Sequence, residues 1–204
     1  MLAFKLISKK ESTPKNWNAY YTLPFFDMAF YYLNESHYEH FYHPLLEPLK
    51  IESTLEFGGG TGHLSMKIKS MKKSRATIIE HNPLALKKHK KAYGNATNYI
   101  LGDVFNVQIK KKYDLVFSDG LVEHFEGARQ CALIKKHCDM ASKFVIIAAP
   151  RPSFFSTLFS FVVCYEKGLN PWQIETEFTK NDYKVLKTIV SYRYFSLLAA
   201  KKNV

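Results

Sequence analysis

Short runs of apolar residues alternate with amphipathic segments along most of the chain after residue 50. The apolar runs occupy positions 54–57, 76–79, 98–101, 113–117 and 143–148. Runs of this length, bounded by polar or turn-forming residues, predict buried strands, and the segments between most of them have the spacing of helices. The alternation therefore predicts a parallel sheet that helices cover on both faces.

The two ends of the chain depart from this alternation. From Phe25 to Leu49 apolar and aromatic residues recur at steps of three and four, which predicts one or two amphipathic helices. Near the other end, 185–192 and 194–200 are β-prone runs with a short join. Two such runs predict an antiparallel hairpin at the end of the sheet.

Length and composition fit one globular domain. The chain has 204 residues, of which 47% are hydrophobic and 23% charged, enough to bury a full core. We expect one α/β domain over residues 1–204, with a Rossmann-like, doubly wound, seven-stranded sheet that is mostly parallel. Within it, residues 1–50 would form an aromatic-rich helical cap and residues 151–180 a helical insertion or lid.

Several classes of protein are disfavoured by the same sequence. The longest apolar run, Phe154 to Cys164, is well short of the roughly 20 residues that span a bilayer, so we expect no membrane span. The three cysteines are an odd number without CxxC spacing, which argues against a disulfide framework and a structural zinc site. A cytoplasmic location fits these features best.

The formal net charge of +11 raises the question of an anionic partner. Of the 29 basic residues, 12 fall in three clusters, at 67–75, 87–91 and 110–112. Such clusters are more often the solvated faces and ends of helices. A stripe that attracts phosphates is the less favoured interpretation, and nucleic acid is kept as an alternative partner.

A glycine-rich turn lies where the first predicted strand meets the following helix. Glycine permits positive φ and lets a ligand approach the backbone, and the helix that follows presents unpaired N–H groups. The alternate glycines of this turn are Gly58, Gly60 and Gly62. A glycine cluster alone is weak evidence for a site, but its position between strand and helix strengthens it.

Acidic residues accompany the turn at the ends of the predicted strands. Glu80 ends the second strand about 20 residues beyond the glycines, where a carboxylate can take both hydroxyls of a ribose. Asp103 follows the third strand and Asp119 the fourth, while Glu56 precedes the turn. Because loops at the carboxyl ends of parallel strands line one crevice, these four acids are expected to converge.

These motifs resemble those of class I S-adenosylmethionine (SAM)-dependent methyltransferases, particularly the small-molecule type of methyltransferase families 11 and 12. The resemblance covers roughly residues 17–201. An acidic residue stands two positions before a G-x-G-x-G turn, and residues 117–124, FSDGLVEH, are similar to the family's fourth motif. Residues 177–179 are similar to the segment that leads into its last helix.

The resemblance implies SAM as the methyl donor, S-adenosylhomocysteine (SAH) as the product and no metal. Glu56 and the glycines would bind the methionine portion of SAM, Glu80 its ribose, and Asp103 with Val104 would border the adenine. The full set expected to contact the cofactor is Glu56, Phe57, Gly58, Gly59, Gly60, Gly62, Glu80, His81, Asp103, Val104, Ser118 and Asp119.

Methyl transfer from a sulfonium is an in-line displacement, which needs a base only where the acceptor carries a proton. The candidate catalytic residues are His124, Glu123 and Asp119; His124 could equally cap or orient the next helix. Aromatic residues near the cleft would shield the sulfonium or shape an apolar or aromatic acceptor site, although the same rings would fit an ordinary core. These candidate substrate and lid residues are Trp17, Tyr20, Tyr21, Phe154 and Phe155.

Three alternatives compete with a small-molecule methyltransferase. A nicotinamide-binding enzyme is disfavoured because position 63 is His where G-x-G-x-x-G needs Gly or Ala. An RNA or DNA methyltransferase fits the +11 charge, but the fourth motif lacks the Pro-Pro-aromatic sequence expected of amino-methylating nucleic acid enzymes. A non-catalytic SAM-binding module that scaffolds a partner is the third.

Overall fold

A seven-stranded sheet forms the centre of the computed structural model, which describes residues 17–18, 21–22, 35–152 and 168–202. Its strands are β1 (Ser53–Phe57), β2 (Arg75–Glu80), β3 (Asn98–Leu101), β4 (Tyr113–Asp119), β5 (Ala141–Pro150), β6 (Tyr183–Val190) and β7 (Tyr194–Lys201). The spatial order is β3-β2-β1-β4-β5-β7-β6. Strands β1 to β5 pair in parallel, and β7 runs antiparallel to both β5 and β6. The predicted Rossmann-like fold class is confirmed.

Helices lie on both faces of the sheet. They are α1 (His43–Leu46), α2 (His63–Lys72), α3 (Pro83–Tyr93), α4 (Gly127–Met140) and α5 (Pro171–Lys180). A π-helical turn, Tyr38–Tyr42, leads into α1, and a 3₁₀ turn, Val122–His124, precedes α4. The order of strands and helices places the glycine turn between β1 and α2, as the sequence predicts.

The central strands are buried on both faces. On β4, Leu115 and Phe117 pack into one apolar cluster with the π-turn, α1 and α2, whereas Val116 packs into the other cluster with α4 and α5. Successive side chains of a strand point to opposite faces. A strand covered on both sides is therefore apolar at nearly every position, which explains the continuous apolar runs in the sequence.

The start of α3 follows local sequence rules. Asn82 is the N-cap, and its side-chain oxygen accepts hydrogen bonds from the backbone N–H groups of Leu84 at 2.8 Å and Ala85 at 3.4 Å. Pro83 occupies the first helical position, and Gly94 ends the helix with a φ of 59°. This cap fixes the loop after β2, which borders the glycine turn.

The expected helical insertion or lid at residues 151–180 is described only in part. Residues 171–180 form α5, whose Ile174 and Phe178 are buried in the main core, and a lid role for the remainder stays a prediction. Residues 177–179 lie inside that helix, and the expectation that they lead into it was wrong. Phe154 and Phe155 lie outside the described residues. Within the described ranges, no helix is both long and apolar enough to cross a membrane.

Candidate active site

The glycine turn has backbone angles that favour glycine. The φ angles of Gly58, Gly60 and Gly62 are 65°, 53° and 76°, in the left-handed region that other residues rarely adopt. A Cβ atom on Gly62 would lie 2.6 Å from both Nδ1 of His89 and Cδ1 of Ile78. Position 62 therefore requires glycine both for its φ angle and because neighbouring side chains fill the space that a Cβ atom would take.

Side chains from α3 and β3 hold the carbonyl groups of this turn. The Tyr99 hydroxyl donates to the Gly60 carbonyl at 2.8 Å, and His89 Nδ1 donates to the Thr61 carbonyl at 2.8 Å. The Thr97 hydroxyl donates to His89 Nε2, also at 2.8 Å. Burial lowers the pKa of His89 despite the bond to Thr61, which favours the neutral ring that these two bonds require.

The Glu80 carboxylate connects the glycine turn to the start of α3. Its Oε2 accepts from the Gly60 N–H at 3.0 Å and its Oε1 from the Asn82 N–H at 2.8 Å. The residue is 7% exposed. Each carboxylate oxygen can accept a further bond, so these contacts leave acceptor capacity for a ligand hydroxyl. His81 lies beside it, with Nε2 3.9 Å from Oε1 of Glu80.

Glu56 is a buried acid beneath the turn. Glu56 is only 3% exposed, and a Cβ atom on Gly59 would lie 2.8 Å from its Oε2. The Ser65 hydroxyl donates to the same oxygen at 2.5 Å. Burial raises the pKa of Glu56 to about 8, the bond from Ser65 opposes the rise, and the charges of Asp119 and Glu80 add to it. A cation placed here would restore the charged form.

Asp119, at the end of β4, is held by two groups that the sequence analysis missed. Its Oδ2 lies 3.0 Å from His37 Nδ1, and its Oδ1 accepts a short hydrogen bond from the Tyr194 hydroxyl. The rings of His37 and Tyr194 are 4.4 Å apart. Burial by itself would lower the pKa of His37, but the charge of Asp119 and their hydrogen bond outweigh it and raise the pKa.

Glu123 lies next to this cluster. It is 2% exposed, and a Cβ atom on Gly120 would lie 3.4 Å from its Oε1 and 3.6 Å from the Tyr194 hydroxyl. Burial raises the pKa of Tyr194 well above its usual value, and the charges of Asp119 and Glu123 contribute. Tyr194 therefore stays a hydrogen-bond donor between two acids.

Described parts of the N-terminal cap lie over this edge of the sheet. The Trp17 ring meets the His124 ring edge-to-face, with centroids 5.3 Å apart. The Asn82 side-chain N–H donates to the Asn18 side-chain oxygen at 3.0 Å, and Tyr21 packs on Ala85. Trp17 therefore contacts a candidate catalytic residue and Tyr21 the start of α3, and a role for either in covering a bound ligand stays a prediction. Tyr20 lies outside the described residues.

Two residues that were expected to contact the cofactor, Phe57 and Ser118, turn their side chains away from the cleft. Phe57 is fully buried, with its ring 4.7 Å from that of His137. Burial lowers the pKa of His137 to about 4, so its ring is neutral, and Nδ1 donates to the Leu133 carbonyl. His137 Nε2 is therefore an acceptor, and the Ser118 hydroxyl donates to it at 3.0 Å. Phe57 and Ser118 can therefore offer a ligand only main-chain atoms.

Asp103 and Val104, which were expected to border the adenine of the cofactor, follow β3. The Asp103 side chain is exposed, and its Oδ1 accepts from the Phe105 N–H at 2.8 Å, while Val104 is 8% exposed. They stand at the same edge of the sheet as the glycine turn, because Gly102 N–H donates to the Glu80 carbonyl at 2.9 Å. Among the described residues, no group of three or more metal-ligating side chains is placed to hold a metal ion.

Known proteins share this fold. Residues 55–137 match a family model described as a methyltransferase domain. The magnesium protoporphyrin IX methyltransferase of Synechocystis PCC 6803, solved with bound SAH, superposes with a TM-score of 0.68 at 16% identity, covering 92% of this chain and 94% of that chain. No curated protein sequence matches this chain.

Two further solved structures have the same fold. The N-methyltransferase NodS of Bradyrhizobium japonicum WM9, in complex with SAH, gives a TM-score of 0.65 at 14% identity and covers 83% of this chain and 87% of that chain. The pyocyanin biosynthetic protein PhzM gives 0.69 at 16% identity, covering 91% of this chain and 61% of that chain. Identities this low establish a common fold and leave the substrate open.

Proposed function

We propose that this chain is a class I SAM-dependent methyltransferase that transfers a methyl group from SAM to a small-molecule acceptor. The proposal is supported by the methyltransferase-domain model that matches residues 55–137 and by the fold shared with solved methyltransferases. SAM supplies a methyl group bonded to a positively charged sulfur. The acceptor is expected to be apolar or aromatic around the atom that receives the methyl group, since the Trp17 ring lies against His124 with the Tyr21 ring beside it.

The observation that carries the proposal is the concentration of buried acids at one edge of a basic protein. The formal net charge is +11, yet Glu56, Glu80 and Glu123 are each under 10% exposed, and Asp119 is near enough to raise the pKa of Glu56. Burial of like charges is costly unless a cation compensates them. The ammonium and sulfonium of SAM would supply that compensation.

We assign each part of SAM to a group in this cleft. We expect the main chain of the glycine turn and the Glu56 carboxylate to hold the methionine portion. Glu80 is expected to accept from the ribose hydroxyls, and Asp103 with Val104 to border the adenine. These assignments follow from the family resemblance and from the convergence of the residues at one sheet edge.

A small molecule is favoured over nucleic acid by the sign of the charge at the cleft. A phosphate backbone would be repelled by the same acids that attract SAM. Two of the similar structures are named for a small-molecule substrate or product, magnesium protoporphyrin IX and pyocyanin. The basic clusters of α2 and α3 keep RNA or DNA as the second candidate substrate.

Calorimetric titration of the purified protein with SAM and with SAH tests the cofactor assignment. We expect saturable binding of both, and a loss of about 10-fold or more in affinity for Glu80→Gln, because the amide would present a donor where an acceptor is needed. The control is Glu52→Gln, which makes the same charge change on an exposed side chain. Absence of binding by well-folded protein would overturn the proposal.

Labelled SAM then tests the reaction. The protein is incubated with [methyl-¹⁴C]SAM and a panel of phenols, alcohols and amines, and separately with tRNA at low and high salt. Transfer to a panel member supports a small-molecule enzyme, whereas salt-sensitive transfer to tRNA would favour the second candidate. SAM binding without transfer to any acceptor would support a non-catalytic module instead.

A further inference from the structure

A histidine–carboxylate pair spans the N-terminal segment and the end of β4. His37 directly precedes the π-turn Tyr38–Tyr42, and its Nδ1 lies 3.0 Å from Asp119 Oδ2. The His37 side chain is 27% exposed and that of Asp119 12%. The sequence motifs of the glycine turn and of the fourth strand do not include His37, and the proposed SAM contacts do not use it.

The chemistry of this pair fixes the position of the proton on the ring. A carboxylate oxygen only accepts hydrogen bonds, so His37 Nδ1 must carry the proton that lies between them. In the neutral ring the lone pair is then on Nε2. Within the described residues Nε2 has no hydrogen-bond partner, so it is available to a bound molecule.

Tyr194 completes the arrangement from β7. Its hydroxyl donates to the other oxygen of Asp119, and its ring lies 4.4 Å from the His37 ring. Phe41, four residues further along the same segment, packs edge-to-face against His37, with centroids 5.7 Å apart. The carboxylate and the imidazole are thus both held in orientation before any substrate binds.

We propose that His37 is the general base of the methyl transfer and that Asp119 and Tyr194 are its positioning residues, which limits the acceptor to a molecule with an O–H or N–H group. This inference rests on the proposed function. As the acceptor atom bonds to the methyl carbon, the carbon–sulfur bond breaks and its electron pair stays on sulfur, giving SAH. The acceptor proton moves to His37 Nε2, and Asp119 stabilises the imidazolium that forms.

Titratable groups surround His37 and its two positioning residues. Asp119 on β4 and Tyr194 on β7 contact the His37 ring, and Glu123 in the 3₁₀ turn and Tyr42 in the π-turn lie near Tyr194. Burial raises the pKa of Tyr42 and that of Tyr194 well above the usual value, so both remain neutral. The Asp119 carboxylate favours the protonated His37 ring, and activity should therefore rise with pH as His37 loses its proton.

Nitrogen-15 NMR of the histidine rings tests the pair without any acceptor. In full-length protein with and without SAH, neutral His37 should carry its proton on Nδ1 and leave Nε2 unprotonated, and Asp119→Asn should disturb this preference. A neutral His37 with its proton on Nε2 overturns the proposal, whether or not a methyl acceptor has been identified.

Kinetics test the role of the free nitrogen. His37→Gln keeps a donor for Asp119 but has no basic nitrogen, so turnover of the acceptor found in the panel should fall about 100-fold or more while SAH affinity stays within about 2-fold of wild type. The matched control is His40→Gln, three residues along the same segment on an exposed side chain, which should turn over normally.

The two proposals fail in different ways. Loss of SAH binding in wild-type protein defeats the proposed function, whereas normal SAH binding with wild-type turnover in His37→Gln defeats only the base. In His124→Gln, turnover should keep the pH dependence of wild type. If that variant instead abolishes the pH dependence and His37→Gln retains it, His124 is the base and the present inference is wrong.

Discussion

Replacing Glu56 with Gln should make the ligand-free protein more stable at alkaline pH while weakening SAM binding. In the folded protein the pKa of Glu56 is about 8, against an ordinary value of 4.5. Between these two values the unfolded chain releases this proton and the folded chain retains it. Stability is therefore greatest at low pH and is lost as the pH rises, the reverse of a carboxylate in a salt bridge.

The size of the effect follows from the separation of the two pKa values. One pKa unit corresponds to about 1.4 kcal/mol. The titration of Glu56 should therefore lower the free energy of unfolding by about 3 kcal/mol as the pH rises from about 5 to about 8. Gln does not ionise, and its side-chain oxygen can still accept the hydrogen bond from Ser65. The stability difference between Glu56→Gln and wild type should therefore grow by that amount over the same interval.

Urea unfolding at a series of pH values measures this difference. The control is Glu52→Gln, whose exposed side chain lies at the other end of β1 and should give a nearly constant difference from wild type. The reasoning would be refuted by a Glu56→Gln difference that is equally flat, or by a variant that loses stability relative to wild type as the pH rises. Calorimetry on the same samples should show weaker SAM binding.

Three further substitutions test how the turn is held. Gly62→Ala would place Cβ 2.6 Å from neighbouring side chains, and we expect the free energy of unfolding to fall by about 1–3 kcal/mol and SAM affinity, measured by calorimetry, to fall. The control is Gly94→Ala, which is also at positive φ but has open space around it and so isolates the cost of the clash. Tyr99→Phe removes the bond to the Gly60 carbonyl and should cost about 1 kcal/mol in urea unfolding, with a several-fold weaker SAM affinity; an unchanged affinity would mean that the bond does not shape the turn. Asn82→Ala should lower stability by about 1 kcal/mol through loss of the N-cap, and no change in the unfolding midpoint would count against that cap.

Most of the fold could be predicted from local pattern. The strands were expected within a few residues of their observed bounds, because runs covered on both faces are short and continuously apolar. The Asn82-Pro83 start and Gly94 end of α3 follow from backbone chemistry alone. The side-chain directions of Phe57 and Ser118 were also accessible, since strict alternation along a strand places Ser118 opposite Asp119.

The arrangement around Asp119 could not be predicted in the same way. His37 lies 82 positions from Asp119 in the chain, and Tyr194 lies 75 positions from it. Neither residue belongs to a motif, and their meeting depends on the π-turn before α1 and on the pairing of β7 with β5. Such contacts follow from tertiary packing, for which a single sequence gives no local signal.

The acidic edge of the sheet has a consequence for product release in the proposed methyl transfer. Transfer of the methyl group would convert the sulfonium of SAM into the neutral thioether of SAH. The product therefore lacks one of the positive charges that the acidic side chains attract. We therefore expect the cleft to bind SAH more weakly than SAM, and added salt to weaken the binding of SAM more strongly than that of SAH. Product inhibition by SAH would then be mild.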